Sequence, residues 1–319
     1  VYKRQVTVVL NLDWDHADQY SEASKLNDAF ARLAERTSSK IILPKDFNLA
    51  VCDRLKCVHF EGALEQRGLT APPSGCFNAA NADAATAVLT ILTDQLPVDI
   101  ITSFPGMLRR QVCLHRSEQV VIVEDYAHHP TEIDVLIDSL RKKEPNRRLI
   151  VVFQPHRYTR TRQFKAEFAA SLSVADQVYL LPVYAAHEEA LEGGDSNALA
   201  NAFINAPDVL EMNISGVEYL LRAVGDEPVQ VAFVGAGDIE EFSSVFAGWI
   251  RGKQSLSTAL RDYLGSRFSP GCVLKENEPL ANKTTIRIGG AARFYAEPAN
   301  LSDLRVLLRA AKLFDLETF

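Results

Sequence analysis

Between residues 120 and 250 the chain alternates short uninterrupted apolar runs with longer stretches whose apolar positions recur every three or four residues. The runs are VVIV (120–123), LIVVF (149–153), QVYLLPVY (177–184) and VQVAFV (229–234). After the first, a helical pattern opens at Pro130, with Ile133, Leu136, Ile137 and Leu140 on one face. Helices are expected over 161–175, 196–204 and 238–250 after the others. A strand that is apolar on both faces must be covered on both, so this alternation predicts an α/β fold with a mostly parallel sheet. Upstream, Val6 to Asn11 and KIILP (40–44) read as strands. Leu26 to Thr37 reads as a helix with Leu26, Phe30 and Leu33 on one stripe, APPSG (71–75) as a breaker, and 78–95 as an alanine-rich buried helix. The rhythm stops over 251–272, which reads as a linker with one helix. A new block follows at 276–298, and then a helix with Ser302 as cap and Leu304, Leu307 and Leu308 as its apolar positions. The expected segments are 6–105, 106–250, 251–272 and 273–319.

The 319 residues are enough for two or three domains with real cores, and 47% are hydrophobic. A net charge of −7 argues against a general nucleic-acid binder, which needs a basic surface. No apolar run is long enough to cross a bilayer, so no membrane insertion is expected. The cysteines at 52, 57, 76, 113 and 272 form no CxxC pair. Their spacing fits reduced thiols, and with no signal-peptide layout at the start a cytoplasmic location is expected.

Chemistry gathers where the apolar runs end. Open parallel sheets bind ligands beyond the carboxyl ends of their strands, and the strand ends here read EDYAHH (124–129), QPHRYTRTR (154–162), VYAAHEE (183–189) and GAGD (235–238). In the first, Asp125 can accept from a ribose. His128 or His129 can meet a carboxylate, a phosphate or a metal, and Pro130 suits a first helical position. In the second, His156, Arg157, Arg160 and Arg162 crowd a helix start. Positive charge there is electrostatically unfavourable unless an anion is shared. NLDWDHADQY (11–20) offers Asp13, Asp15, His16 and Asp18 to a hard divalent ion such as Mg²⁺. GAGD lacks the third glycine of GxGxxG, so a tight turn explains it equally well, and GKQS (252–255) is not a phosphate loop.

EDYAHHPTEI (124–133) resembles the carboxyl-terminal domain of the Mur ligases, which build the peptide of bacterial cell walls. FQPHRYTRT (153–161) resembles the branch of that family that joins L-alanine to UDP-N-acetylmuramate. FPGMLRRQ (104–111), YAAHEEALEGGDS (184–196) and GAGDI (235–239) follow in the family's order. NLDWDHADQY and GCFNAANA (75–82) resemble the end of its central ATPase domain. The resemblance implies a partial ATPase domain over 6–105 and a Rossmann-like carboxyl-terminal domain over 106–250. It implies ATP and Mg²⁺ as cofactors, an acyl phosphate of the muramate carboxylate, and attack on it by the alanine amine. His16 would be a metal ligand. Asn78 and Asn81 would face adenine, Arg109 or Arg110 the phosphates, and Asp125 the ribose. Tyr126, His128, His156, Arg157 and Arg160 would hold the alanine and muramyl carboxylates. The chain departs from the pattern at Cys76 and Phe77, where a basic residue and His are usual, at Gln111, where Phe is usual, and at His187, where Gly is usual.

NEPLANKTTIRIGGAARFYAEP (277–298) resembles the start of the flavin-dependent reductases that make UDP-N-acetylmuramate. That implies an incomplete FAD-binding α+β segment over 273–319, with Arg287, Gly289 and Gly290 against FAD. The implied parent is a fusion of ligase and NADPH-dependent reductase. On this reading part of each enzyme lies outside the chain, and the polypeptide alone is expected neither to ligate nor to reduce. Two other readings stay open: a nucleotide-binding module without catalysis, and a metal-dependent phosphohydrolase using His16, His128, His129 and His156.

Overall fold

The computed structural model describes residues 4–14, 20, 22–45, 47, 56–70, 76–93, 96–104, 107–252, 256–265 and 267–319. The expected breaker at 71–75 lies outside them. The first part holds a small parallel sheet of β1 (Arg4–Val8), β2 (Thr37–Leu43) and β3 (Lys56–His59). Helix α1 (Ala23–Glu35) lies on one side, where Ala34 and Phe30 pack with Ile41 and Leu43. Helix α2 (Cys76–Leu92) lies on the other, where Ala84 and Ala87 pack with Ile42 and Phe60. Alanines let α2 approach this sheet closely. A short helix, α3 (Val98–Thr102), leads to the larger unit.

That unit is a six-stranded sheet in the order β4-β5-β9-β6-β7-β8. The strands are β4 (Val112–Arg116), β5 (Val120–Asp125), β6 (Arg148–Phe153), β7 (Gln177–Leu180), β8 (Asp208–Val209) and β9 (Val229–Val234). All pairings are parallel except β4 against β5, an edge hairpin that the apolar runs do not predict. Every residue of β5 and β9 is buried, as continuous apolar runs require. On one face α4 (Pro130–Lys143), α6 (Lys165–Leu172) and α7 (Ser196–Ala200) cover Val121, Val123, Val151 and Val234. On the other, α8 (Ile214–Val224) and α9 (Ile239–Ile250) cover Ile122, Ile150, Val231 and Phe233.

The helix expected over 161–175 is two pieces, α5 (Tyr158–Gln163) and α6, divided at Phe164. Phe164 caps both and turns its ring into the core beneath α4. The run 177–184 forms a strand only to Leu180, because Pro182 has no N–H for the ladder. Pairing resumes beyond it: Tyr184 donates its N–H to Pro155 at 2.8 Å and accepts from Arg157 N–H at 2.9 Å. Helix α8 lies where no element is expected, although Ile214, Val217, Leu220 and Val224 stand at helical spacing.

The stretch 251–272 is packed rather than extended. It holds α10 (Leu256–Gly265), whose Ala259, Leu260, Tyr263 and Leu264 join the core beneath α8 and α9. The same core takes Ala310, Leu313 and Phe314 of the last segment. That segment is the antiparallel pair β10 (Val273–Pro279) and β11 (Ala291–Glu297), followed by α11 (Leu301–Leu313). The cap of α11 is Asn300, which accepts from Asp303 N–H at 3.0 Å, and not Ser302. Its Leu304 and Leu308 are exposed, and the inward face is carried by Ala310 and Leu313 with Val306 and Leu307.

Leu260 is 2% exposed, and burying such a side chain contributes about 1.5–3 kcal/mol. Leu260→Ala is expected to cost about 2–5 kcal/mol, cavity included, read as a lowered urea midpoint. Ile204→Ala, at a fully exposed position, is expected to stay within about 0.5 kcal/mol.

Candidate active site

The carboxyl ends of β5, β6 and β9 meet at one edge, and the meeting is tight. A side chain at Gly235 would come within 2.8 Å of the Gln154 carbonyl, and one at Gly237 within 2.6 Å of Tyr184 Cβ. Gln154, 2% exposed, donates to Asp238 at 2.7 Å and accepts from Ile239 N–H at 3.0 Å, which fixes the start of α9. GAGD is therefore a close-packed strand-to-helix turn. Arg109 closes it from the other side. Its guanidinium donates to the carbonyls of Gly235 (2.9 Å) and Gly237 (3.0 Å), pairs with Glu240 at 2.9 Å, and lies 4.9 Å from the Tyr126 ring. Of the two arginines considered for phosphate contact, Arg109 is thus spent on the turn.

Arg110, whose guanidinium lies 5.5 Å from the same Tyr126 ring, lines a cleft of about 590 Å³ between the first part and the larger unit. That volume suits a small-molecule site. Its walls include residues 10–13, Asn78 and Asn81 of α2, and Asp125, His128, His129 and Glu132. Asp125 is buried, and its carboxylate accepts from Gln111 N–H at 2.9 Å and Ala127 N–H at 2.8 Å. Each oxygen keeps further acceptor capacity. Burial pushes the Asp125 carboxyl above the ordinary aspartate range despite those two bonds.

A second cluster continues from the cleft through His128. Its ring meets Tyr126 edge-on at 5.4 Å and His156 at 5.7 Å. His156 stacks on Tyr184 at 5.5 Å, a neighbour set by the strand pairing that resumes beyond Pro182. Arg160, buried, reaches His156 Nδ1 at 3.3 Å. Arg157, with φ of 71°, caps α5 in a left-handed conformation that side chains rarely adopt. Burial first, then His128, Arg160 and Arg157, pulls His156 down to about 4. The ring is neutral at neutral pH and can accept from the Arg160 guanidinium.

The structure thus brings together Asn78, Asn81, Arg110, Asp125 and His128 in the cleft, and Tyr126, His128, His156, Arg157 and Arg160 beside it. His16, with Asp15 and Asp18, lies outside the described residues, as do the side chains of Cys76 and Phe77. Among the described residues no three of His, Cys, Asp and Glu gather closely enough to hold a metal ion. Arg287, Gly289 and Gly290 lie apart on an exposed loop. Gly289, with φ of 157°, backs onto Leu280 of the same segment, Gly290 faces open space, and Ile286 and Ile288 beside them are 74% and 72% exposed. His187 stands at φ 73°, which suits the glycine usual there.

Two contributors escaped the sequence reading. Glu132 accepts from His128 N–H at 2.9 Å and lies 3.8 Å from Arg110, and an acid three residues after the N-cap is the signal for it. Tyr184 has no such local signal.

Residues 108–224, which hold five of the six strands of the larger sheet, match the model of the Mur ligase, glutamate ligase domain. The chain is similar to the UDP-N-acetylmuramate–L-alanine ligase of Ligilactobacillus salivarius, with 30% identity over 274 residues covering 77% of this chain and 60% of the relative. It spans about three fifths of the length of the curated relatives it matches. Among solved structures, UDP-N-acetylmuramate–alanine ligase from Thermotoga maritima superposes with a TM-score of 0.55 at 21% identity, covering 79% of this chain and 61% of that one. The MurF ligase of the same organism, solved in complex with ADP, gives 0.55 at 16% identity, covering 78% and 62%. Both likenesses show the fold. Among the described residues no helix is long and apolar enough to cross a membrane.

The His156 geometry has a pH signature. An unfolded histidine takes its proton near pH 6.5, and native His156 takes it only near 4. Stability from this group is therefore intact above about pH 6.5 and is lost as pH falls towards about 4. Ring resonances of His156 are expected to titrate near pH 4. His156→Gln is expected to be less acid-sensitive than the unmodified chain in that window, measured by urea unfolding at pH 7 and pH 5.

Proposed function

We propose that the chain is part of an ATP-dependent, amide-forming ligase that joins L-alanine to UDP-N-acetylmuramate in cell-wall precursor synthesis. The observation that carries this reading is the cleft. Residues from α2, Arg110 ahead of β4 and the end of β5, distant in sequence, line one space of the right size. Asn78 and Asn81 would meet the adenine, Asp125 the ribose hydroxyls and Arg110 the phosphates. A muramate carboxylate oxygen would attack the γ-phosphorus and release ADP. The alanine amine would then attack the acyl carbon and release phosphate. Tyr126, His128, His156, Arg157 and Arg160 would hold the carboxylates. Neutral His156, accepting from Arg160, would keep that guanidinium aimed at its anion.

Magnesium would shield the phosphate charge when bound, with His16 as a ligand. The likeness of 277–298 to flavin-dependent reductases supports a parent that also carries an NADPH- and FAD-dependent reductase. The widely spaced cysteines suit the cytoplasm.

The two arginines separate the reading from its rivals. Arg110→Ala is expected to weaken ADP binding at least ten-fold by calorimetry, at an unchanged melting temperature. Arg109→Ala is expected to lower the melting temperature, because it leaves two turn carbonyls and Glu240 without their partner. ADP binding indifferent to Arg110→Ala and Asp125→Ala would rule out the cleft as a nucleotide site.

A further inference from the structure

Strand β1 ends at Val8, yet residues 10–13 form a wall of the cleft. What holds that wall lies just beyond it. Trp14, half-buried, does not line the cleft; it packs into the core under α4 and α6. Its ring meets Phe164 edge-on at 5.7 Å, with 73° between the planes. The Trp14 carbonyl lies 3.2 Å from His129 Nε2. A carbonyl only accepts, so Nε2 is the donor of that bond. His129 also meets the Phe164 edge at 4.9 Å and turns Nδ1 to the Asp13 carboxylate at 3.5 Å. The same carboxylate accepts from the Thr131 hydroxyl. The indole N–H donates to the Tyr20 carbonyl at 2.9 Å.

We propose that Trp14 is a positioning residue, clasping the 10–13 wall to the first turn of α4 through Phe164 and His129 and so setting the width of the cleft. Three features favour this over incidental packing. The contacts join segments more than a hundred residues apart in sequence. They combine an aromatic edge contact, worth about 0.5–1.5 kcal/mol beyond its burial, with two polar bonds onto one carboxylate and one carbonyl. The residues they hold, Asp13 from one segment and His129 and Thr131 from the other, line the same cavity. The functional consequence rests on the nucleotide reading of the cleft; the clasp itself does not.

The test is amide hydrogen exchange and ADP titration on the whole chain. In Trp14→Ala, exchange over residues 128–133 is expected to rise at least ten-fold, with the core strand 229–234 unchanged. The ADP dissociation constant is expected to rise at least ten-fold although every residue lining the cleft is intact. Trp14→Phe keeps a ring against Phe164 and is expected to restore most of both. Unchanged exchange over 128–133, or unchanged ADP affinity beside increased exchange, overturns the proposal. If the unmodified chain binds no ADP, the nucleotide reading falls, and the exchange result still decides whether Trp14 sets the wall. If Trp14→Ala also exposes 229–234, Thr131→Val decides: it removes one hydroxyl, and exchange over 128–133 no faster than in the unmodified chain overturns the clasp.

Discussion

The site depends on how closely the ends of β6 and β9 approach each other. Gly235 and Gly237 lie against Gln154 and Tyr184 at distances that leave no room for a side chain. Gln154 uses both ends of its amide to fix the start of α9, and Arg109 holds the same turn from outside. With this turn fixed, Asp125 at the end of β5 receives the Gly235 N–H on its carbonyl at 3.0 Å and presents its carboxylate to the cleft. The charge on Arg109 serves packing, and its neighbour Arg110 lines the cleft.

Two clusters share His128. On the cleft side it stands with Asp125 and Glu132; on the other it touches Tyr126 and His156. The residues that His128 joins stand on strand ends and helix starts of the six-stranded sheet, and residues 10–13 with Asn78 and Asn81 complete the cleft from the first part. The concentration of cations around α5 would be costly without a partner. Neutrality of His156 relieves part of that cost.

The last segment is joined to the large unit by a core rather than by a tether. Tyr263 of α10 packs edge-on against Phe314 at 5.8 Å, and Arg309 of α11 pairs with Glu241 of α9 at 3.6 Å. Burial pushes both the Tyr263 hydroxyl and the Glu241 carboxyl up from their ordinary ranges. Whatever the segment 273–319 contributes, it does so at a fixed place on the large unit.

Much of the fold was legible because continuous apolar runs leave a strand few alternatives. VVIV, LIVVF and VQVAFV became β5, β6 and β9, and the stripe from Ile133 to Leu140 became the buried face of α4. Where polar residues interrupt the run, as at Cys113 and His115 of the edge strand β4, the pattern was silent. The polar strand ends were legible too, since Asp125, His128, His156 and Arg160 are unusual residues placed where parallel sheets bind ligands. The sequence could not say that Arg109 closes the GAGD turn while Arg110 lines the cleft, that Tyr184 returns to stack on His156, or that Trp14 reaches α4. Periodicity records what one segment does with its own faces. Which neighbour completes a bond is decided by contacts between segments far apart in the chain, and those exist only once the sheet has formed.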